Sequence, residues 1–290
     1  MGKSGHGRTG ENHQQGKGGF LPTTHDVTNM ALFCDFENIA LGVRDAKYAK
    51  FDVGRVLERL LLKGSIVVKK AYADWDRYKD FKAAMHEAAF ELIDIPHLRL
   101  SGKNSADIRM VVDALDLCYT KSHVDAFVII SGDSDFSPLV SKLRENNKQV
   151  IGVGVKSSTS DLLTANCDEF IFYDDLVHAE ERGKARRQKA HKIRLGKGSK
   201  GKEGEEEEKI LEAIDLVVET VEALFAERGD DERIWASLVK QTMKRRRPGF
   251  AESTYGFRTF GQLLEEAEKR GYLEMERREK SGGYIITGTR

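Results

Sequence analysis

Along residues 30–177, short apolar runs alternate with stretches whose apolar positions recur every three or four residues. MALFCDF, SIVVKKAYA, LIDIPHL, VDAFVII, QVIGVGV and EFIFYD read as strands. Between them FDVGRVLERLLLKG, DRYKDFKAAMHEAAF, SADIRMVVDALDLCYT, SPLVSKLREN and DLLTANC carry helical spacing. Strands that alternate with helices in this way predict a parallel sheet covered on both faces, an α/β fold. A different pattern follows. Ile210, Leu211, Ile214, Val217, Val218, Val221, Leu224 and Phe225 mark one amphipathic helix. RIWASLVKQTMKRR, stopped by Pro248, and RTFGQLLEEAEKRG, ended by Gly271, give two more, and YLEMERREKSGGYIITG reads as two strands around a basic turn. Three helices and a terminal hairpin predict a small winged-helix domain.

The polar stretches set the boundaries. Residues 1–29 are rich in Gly, His, Gln and Lys and nearly free of apolar side chains, so they predict a disordered tail. Residues 178–204 are strongly basic and predict a flexible linker between a domain at 30–177 and a second at 205–290. Within that linker GKGSKGKE resembles the start of a phosphate-binding loop, but Glu203 replaces the required Ser or Thr and no strand precedes it. Lys plus Arg equals Asp plus Glu at 47 each, so net charge identifies no partner and only its distribution can. Cys34, Cys118 and Cys167 are odd in number and far apart, which indicates neither a disulfide framework nor a zinc site and suits a reducing, cytoplasmic setting. The longest apolar runs are strand-sized and the first residues lack the apolar core of a signal peptide, so a soluble protein with no membrane partner is expected.

The chemistry lies where the strands end. In a parallel sheet, ligands bind beyond the carboxyl ends of the strands. Asp35 and Asn38 follow the first strand in CDFEN, Asp133 and Asp135 follow the fourth in SGDSDF, and Asp107 opens a helix in KNSADIR. If the first and fourth strands are neighbours, carboxylates from three chain segments converge and repel one another unless a cation joins them. Oxygen ligands without Cys or His point to Mg2+ or Mn2+, and such an ion suits phosphodiester hydrolysis. Simpler roles compete at each position: Asp135 as a helix cap, Asp107 as a first-turn acid favoured by the helix dipole, Asn38 as a turn residue. Asp133 has no evident cap to make. Asp113, about 120° around the helix from Asp107, ranks as a second-tier ligand or a buried hydrogen-bonding residue. Arg44, Arg77, Lys103 and Lys156 are expected in loops at the same edge, as phosphate contacts or solvated cations. Trp75 either stacks on an unpaired base or fills the core.

LFCDFENI, AYADWDR, KNSADIRMVVDAL, VIISGDSDFSPLVSKLRENNKQVIGVGV and ANCDEFIFYDDL, in that order, resemble the NYN family of PIN-like nucleases. The resemblance implies a Rossmann-like PIN fold, a divalent metal and RNA cleavage. It carries catalytic roles onto Asp35, Asn38, Asp107, Asp133 and Asp135, with Mg2+ or Mn2+ held by the four aspartates. WASLVKQTMKRRRPGF, YGFRTFGQLLEEAEKRGYL and GGYIIT are similar to LOTUS domains, also called OST-HTH, which implies a winged helix that binds RNA or a protein partner. KRRR and the RREK turn add basic edges suited to a phosphate backbone, whereas the acidic middle of FGQLLEEAEKR argues against base reading in a major groove. The combined expectation is a metal-dependent ribonuclease. The alternative is an RNA-binding regulatory adaptor that barely cleaves; a Toprim-type nuclease, which also ends a strand with DxD, leaves CDFEN unexplained.

Overall fold

In β1 (Thr28–Asp35) Met30, Leu32 and Cys34 face one side and Ala31 and Phe33 the other, all completely buried, as a central parallel strand requires. The computed structural model describes residues 28–95, 105–194, 202–229, 233–278 and 283–289, with the side chains of 184–194 and 202–205 left aside. The segment 1–27 and Lys103 thus lie outside the described residues. Thr28 and Asn29 do not continue the tail but open β1, because Asn29 donates its backbone N–H to Asp125 and its side-chain amide to the His123 carbonyl.

Around β1 lie β2 (Gly64–Ala73), β3 (Glu91–Asp94), β4 (Ala126–Ile130), β5 (Gln149–Gly154) and β6 (Glu169–Phe172), all parallel, in the order β3-β2-β1-β4-β5-β6. Strand order therefore reverses between β1 and β4, where Cys34 pairs with Ile130. A crevice opens at such a reversal because the connections leave in opposite directions. One face carries α1 (Phe36–Asp45), α2 (Val53–Lys63), α3 (Lys79–Glu87) and the start of α7 (Tyr173–Arg194). The other carries α4 (Ser105–Thr120), α5 (Ser137–Glu145) and α6 (Asp161–Asn166).

Two elements differ from the sequence reading. CDFEN does not end in a turn: α1 starts directly after Asp35, whose carboxylate caps it by accepting the Asn38 N–H. Gly42 lets this helix pack closely, since a Cβ there would stand 2.4 Å from Ser158 Oγ and 3.3 Å from Val155 Cβ. In addition, α7 runs on to Arg194 through much of the expected flexible linker. Its Lys, Arg, Gln, Glu and Ala are strong helix formers.

The C-terminal part comprises α8 (Lys202–Arg228), β7 (Ile234–Trp235), α9 (Ala236–Arg246), α10 (Phe260–Lys269), β8 (Leu273–Arg277) and β9 (Tyr284–Thr289), with an antiparallel sheet ordered β7-β9-β8. Val217, Val221, Leu224, Val239, Leu263 and Leu264 form its core, and Leu62 of α2 packs into the same cluster. The KRRR run does not form a free basic edge. Arg245 donates to the Leu61 carbonyl, Arg246 to Glu58 at 2.6 Å and Glu219 at 2.9 Å, and Arg247 to Glu58 at 2.5 Å. Arg246 retains only 10% side-chain exposure, so it serves the contact with α2 rather than solvent. Glu58→Ala leaves that guanidinium with one carboxylate fewer and is expected to cost about 1–3 kcal/mol. Chemical denaturation would register the loss; unchanged stability would show that the contact is incidental. Among the described residues no helix is long and apolar enough to cross a membrane.

Candidate active site

The end of β1 and the end of β4 are joined by a chain of hydrogen bonds. Ser131 follows β4 directly, is fully buried, and donates its hydroxyl to Asp35 Oδ2 at 3.0 Å. The same hydroxyl accepts the Asp133 N–H at 3.2 Å. Asp133 Oδ1 accepts the Asp135 N–H at 3.0 Å, and Asn38 Oδ1 accepts the Gly132 N–H at 2.9 Å. The capping roles are thus the reverse of those expected from sequence: Asp133 caps the short turn Ser134–Phe136, while Asp135 sits inside it. Asn38 is a helical residue that clamps the SGDSDF turn to α1.

Asp107 joins this group through its charge. Burial pushes its carboxyl up, and Asp133, Asp135 and Glu37 push it further. Asp35 is 8% exposed, and burial followed by the Asp107 charge raises it from 3.8 to about 7, against the opposing hydrogen bonds of Ser131 and Asn38. Asp107 and Asp133 therefore act on Asp35, and Asp133 and Asp135 on Asp107, at the reversal point. Sequence reasoning passed over Glu37 and Ser131, although CDFEN and SGDSDF contain them. Nothing in residue type distinguishes them until α1 turns Glu37 toward Asp107 and the Asp74 N–H, and β4 seats Ser131 beside Asp35.

Gly132 makes this turn possible. A Cβ there would stand 2.5 Å from the Ser158 carbonyl oxygen and 3.0 Å from Thr159 Cα, and both are backbone atoms that cannot simply rotate away. The Gly132 carbonyl also accepts the Ser160 N–H at 2.9 Å. Gly132→Ala is expected to destabilise the protein by about 1–3 kcal/mol. Urea unfolding checks the stability, and amide exchange at Ser160 checks the predicted loosening of its neighbour.

The other predicted residues separate. Trp75 is not a stacking platform: it is 1% exposed, packs on Phe36 at 4.9 Å and donates its indole N–H to the Ile93 carbonyl. Asp113 is a structural acid. Burial alone would raise it, but the Tyr72 hydroxyl at 2.9 Å, Lys70 and Arg109 outweigh burial and hold it below the usual carboxylate range. Arg44 pairs with Asp45 on the surface. With Arg77 it lines a cavity of about 370 Å3 beside Tyr78. Burial and Glu37 raise the Tyr78 hydroxyl while Arg77, Arg44 and Asp35 also act on it, so these cations lie within electrostatic reach of the acidic group. Lys156 is turned to Asp175 at 3.6 Å and the Phe172 ring.

The donor chemistry of Asp35, Asp107, Asp133 and Asp135 fits a hard divalent cation: all oxygen, several negative charges, and a mutual repulsion that a cation relieves. Among the described residues no three His, Cys, Asp or Glu side chains stand in a metal-holding group, so sharing one ion requires at least one of these carboxylates to move inward.

A crystal structure of a protein of unknown function from Vibrio parahaemolyticus RIMD 2210633 is similar at 26% identity, over 53% of this chain and 97% of that one, with a TM-score of 0.47. No curated protein matches the sequence. The NYN domain matches residues 29–174, which include all six parallel strands and every acid of the site. That match takes in half of the sequence, and the chain belongs to the NYN domain family, whose members are generally nucleases.

Proposed function

We propose that the chain is a Mg2+- or Mn2+-dependent ribonuclease that hydrolyses phosphodiester bonds in the crevice between β1 and β4. One observation carries this reading: Asp35, Asp107, Asp133 and Asp135 come from three chain segments, and there the charges of Asp107 and Asp133 act on Asp35 and those of Asp133 and Asp135 on Asp107. Asp35, Asp107, Asp133 and Asp135 would hold the ion. When bound there, a divalent cation supplies positive charge against the phosphate oxygens and makes a water more acidic. The protein's own groups set the stage. Ser131 fixes the orientation of Asp35, and Asn38 locks the SGDSDF turn against α1 so that Asp133 stays beside it. Arg44 and Arg77 are exposed near the same edge and suit the flanking phosphates of the RNA strand. Lys103 is assigned the same role from sequence alone.

In this reading the C-terminal part is a winged-helix module of the LOTUS or OST-HTH kind that holds RNA or a protein partner in the cytoplasm. Its helices and the β7-β9-β8 sheet support the fold assignment. With Arg245 and Arg246 engaged by α2, the phosphate-facing edge shifts to the β8–β9 hairpin, where Arg277 and Arg278 lie over the Tyr284 and Trp235 rings.

The test is cleavage of a labelled single-stranded RNA by the purified full chain with Mn2+ and with EDTA. Fragments that appear only with the ion support the ribonuclease. Binding without fragments under both conditions would favour the regulatory adaptor instead.

A further inference from the structure

The cavity of about 370 Å3 that Arg44 and Arg77 line lies between α1, α3 and the loop joining α1 to α2. Three cations surround it, Arg44, Lys50 and Arg77, and no carboxylate is on its lining. Their charged heads converge on one pair of rings. Lys50 Nζ stands 4.4 Å from the centre of the Phe81 ring, and Arg44 and Arg77 both act on the hydroxyl of Tyr78, whose ring lies 6.5 Å from Phe81. Among the described residues neither Lys50 nor Arg77 pairs with a carboxylate, and Arg44 meets only the exposed Asp45. The walls are built in advance of any ligand. Phe36 packs edge-on against both Tyr78 and Phe81, the Tyr48 hydroxyl donates to Asp174 at 3.1 Å, and the Tyr173 hydroxyl holds the loop by accepting the Asp52 N–H at 2.9 Å.

Such a site calls for an anion, and its surroundings narrow the class. A bare phosphate would answer the cations but leave the faces of Tyr48, Tyr78 and Phe81 uncovered. An acidic peptide brings one charge per carboxylate and no ring. An internal phosphodiester also carries a single charge, and its strand has to both enter and leave, whereas a volume near the lower end of small-molecule sites takes one nucleotide. A phosphomonoester carries about −1.5 to −2 at neutral pH and answers three cations more fully. The Arg44 backbone stands about 13 Å along α1 from Asp35, so the phosphate bound here is not the one at the carboxylates.

We propose that this cavity binds a nucleotide through its terminal phosphomonoester, with Arg44, Lys50 and Arg77 on the phosphate and the Tyr78 and Phe81 rings beside the nucleoside. The nucleotide is either free or the end of an RNA chain. The second source rests on the ribonuclease reading; the site itself does not. In phosphodiester hydrolysis the oxygen of water bonds to phosphorus as one P–O bond breaks, and the proton goes to the leaving oxygen. One product thus ends in a phosphomonoester and the other in a hydroxyl. A site for the former, next to the crevice, ties cutting to a phosphorylated RNA end or to the level of free monophosphate.

Calorimetric titration of the full chain in EDTA with adenosine 5′-monophosphate, adenosine and inorganic phosphate tests the site without any cleavage. The monophosphate is expected to bind at least about tenfold more tightly than either of the others. Arg77→Gln should lose about that factor and Lys50→Gln/Arg77→Gln more. Lys121→Gln/Lys142→Gln removes the same charge from elements on the other face of the sheet and should lose little. Thermal unfolding confirms that each variant folds, and if the loop fails without Lys50, Arg77→Gln alone decides. Equal losses in the two double variants would reduce the effect to bulk charge and overturn the site, as would inorganic phosphate binding as tightly as the monophosphate. The source is read by fluorescence anisotropy in EDTA, on one RNA carrying phosphate or hydroxyl at its 5′ end and then at its 3′ end. A preference for one phosphorylated end that Arg77→Gln removes assigns the RNA terminus; tight monophosphate binding without end preference assigns the free nucleotide; neither overturns the proposal. A chain that binds the monophosphate but cuts no RNA keeps the site and loses the ribonuclease, and one that cuts with neither binding nor end preference loses the site alone.

Discussion

Asp133→Asn is expected to lower RNA cleavage in Mn2+ by about a thousandfold while leaving the fold intact. The two effects separate because the carboxylate has two jobs. Its Oδ1 accepts the Asp135 N–H, and an asparagine carbonyl oxygen accepts the same bond, so the turn Ser134–Phe136 survives. Its negative charge is one of those acting on Asp35 and Asp107, and asparagine removes it. The variant should therefore unfold no earlier than the wild type in EDTA, because a like charge has left a crowded site. Asp113→Asn is the contrasting control. That acid is held by Tyr72, Lys70 and Arg109, so its loss should reduce stability more than Asp133→Asn does. Cleavage by Asp133→Asn at the wild-type rate would defeat the assignment of the site.

In EDTA, wild-type stability is expected to fall as pH rises from about 4 to about 7, and Asp35→Asn should flatten that decline. The sign follows from Asp35 being raised in the folded protein from 3.8 to about 7, mainly by burial and then by the Asp107 charge. Below pH 3.8 the carboxyl is protonated in both folded and unfolded chains and contributes no difference. Between the two values the unfolded chain ionises readily while the folded chain resists, so each rise in pH favours unfolding. Above pH 7 the folded carboxyl is ionised too and the loss levels off at about 4 kcal/mol for this group. Asp107, raised in the same direction, adds to the decline. Thermal unfolding across this range in EDTA checks it, and Mn2+ should restore the lost stability at pH 7.5, because the ion replaces the proton that the site has given up. A wild-type profile as flat as that of Asp35→Asn would mean that burial and the Asp107 charge do not raise Asp35 in the folded protein.

The same physics links pH to catalysis. Proton and cation compete for Asp35, so the Mn2+ concentration needed for half-maximal cleavage should fall as pH rises through 7. Ser131 and Asn38 oppose protonation by donating to the carboxylate, and so keep the ionised form within reach of neutral pH.

Residue pattern by itself pointed to the parallel α/β layout, since β-sized apolar runs that alternate regularly with helical repeats favour a parallel sheet covered on both faces. It also singled out the four aspartates as candidates, because strand ends in such a sheet are where polar groups become useful. It could not decide that β1 and β4 are neighbours, which follows from the register of Cys34 with Ile130 and turns scattered acids into one group. Short-range signals misled where several roles suit one residue type. Asp133 and Asp35 turned out to be caps as well as candidate site acids, and Trp75 went to the core because Phe36 and the Ile93 carbonyl satisfy both its ring and its N–H. KRRR shows the same limit: a basic run has no direction in sequence, and only the packing of α9 on α2 gives Arg246 to Glu58 and Glu219. Composition and periodicity report what each segment requires from its surroundings. Which neighbour meets that requirement is settled by contacts between residues far apart in the chain, and Ser131 beside Asp35 is one of them.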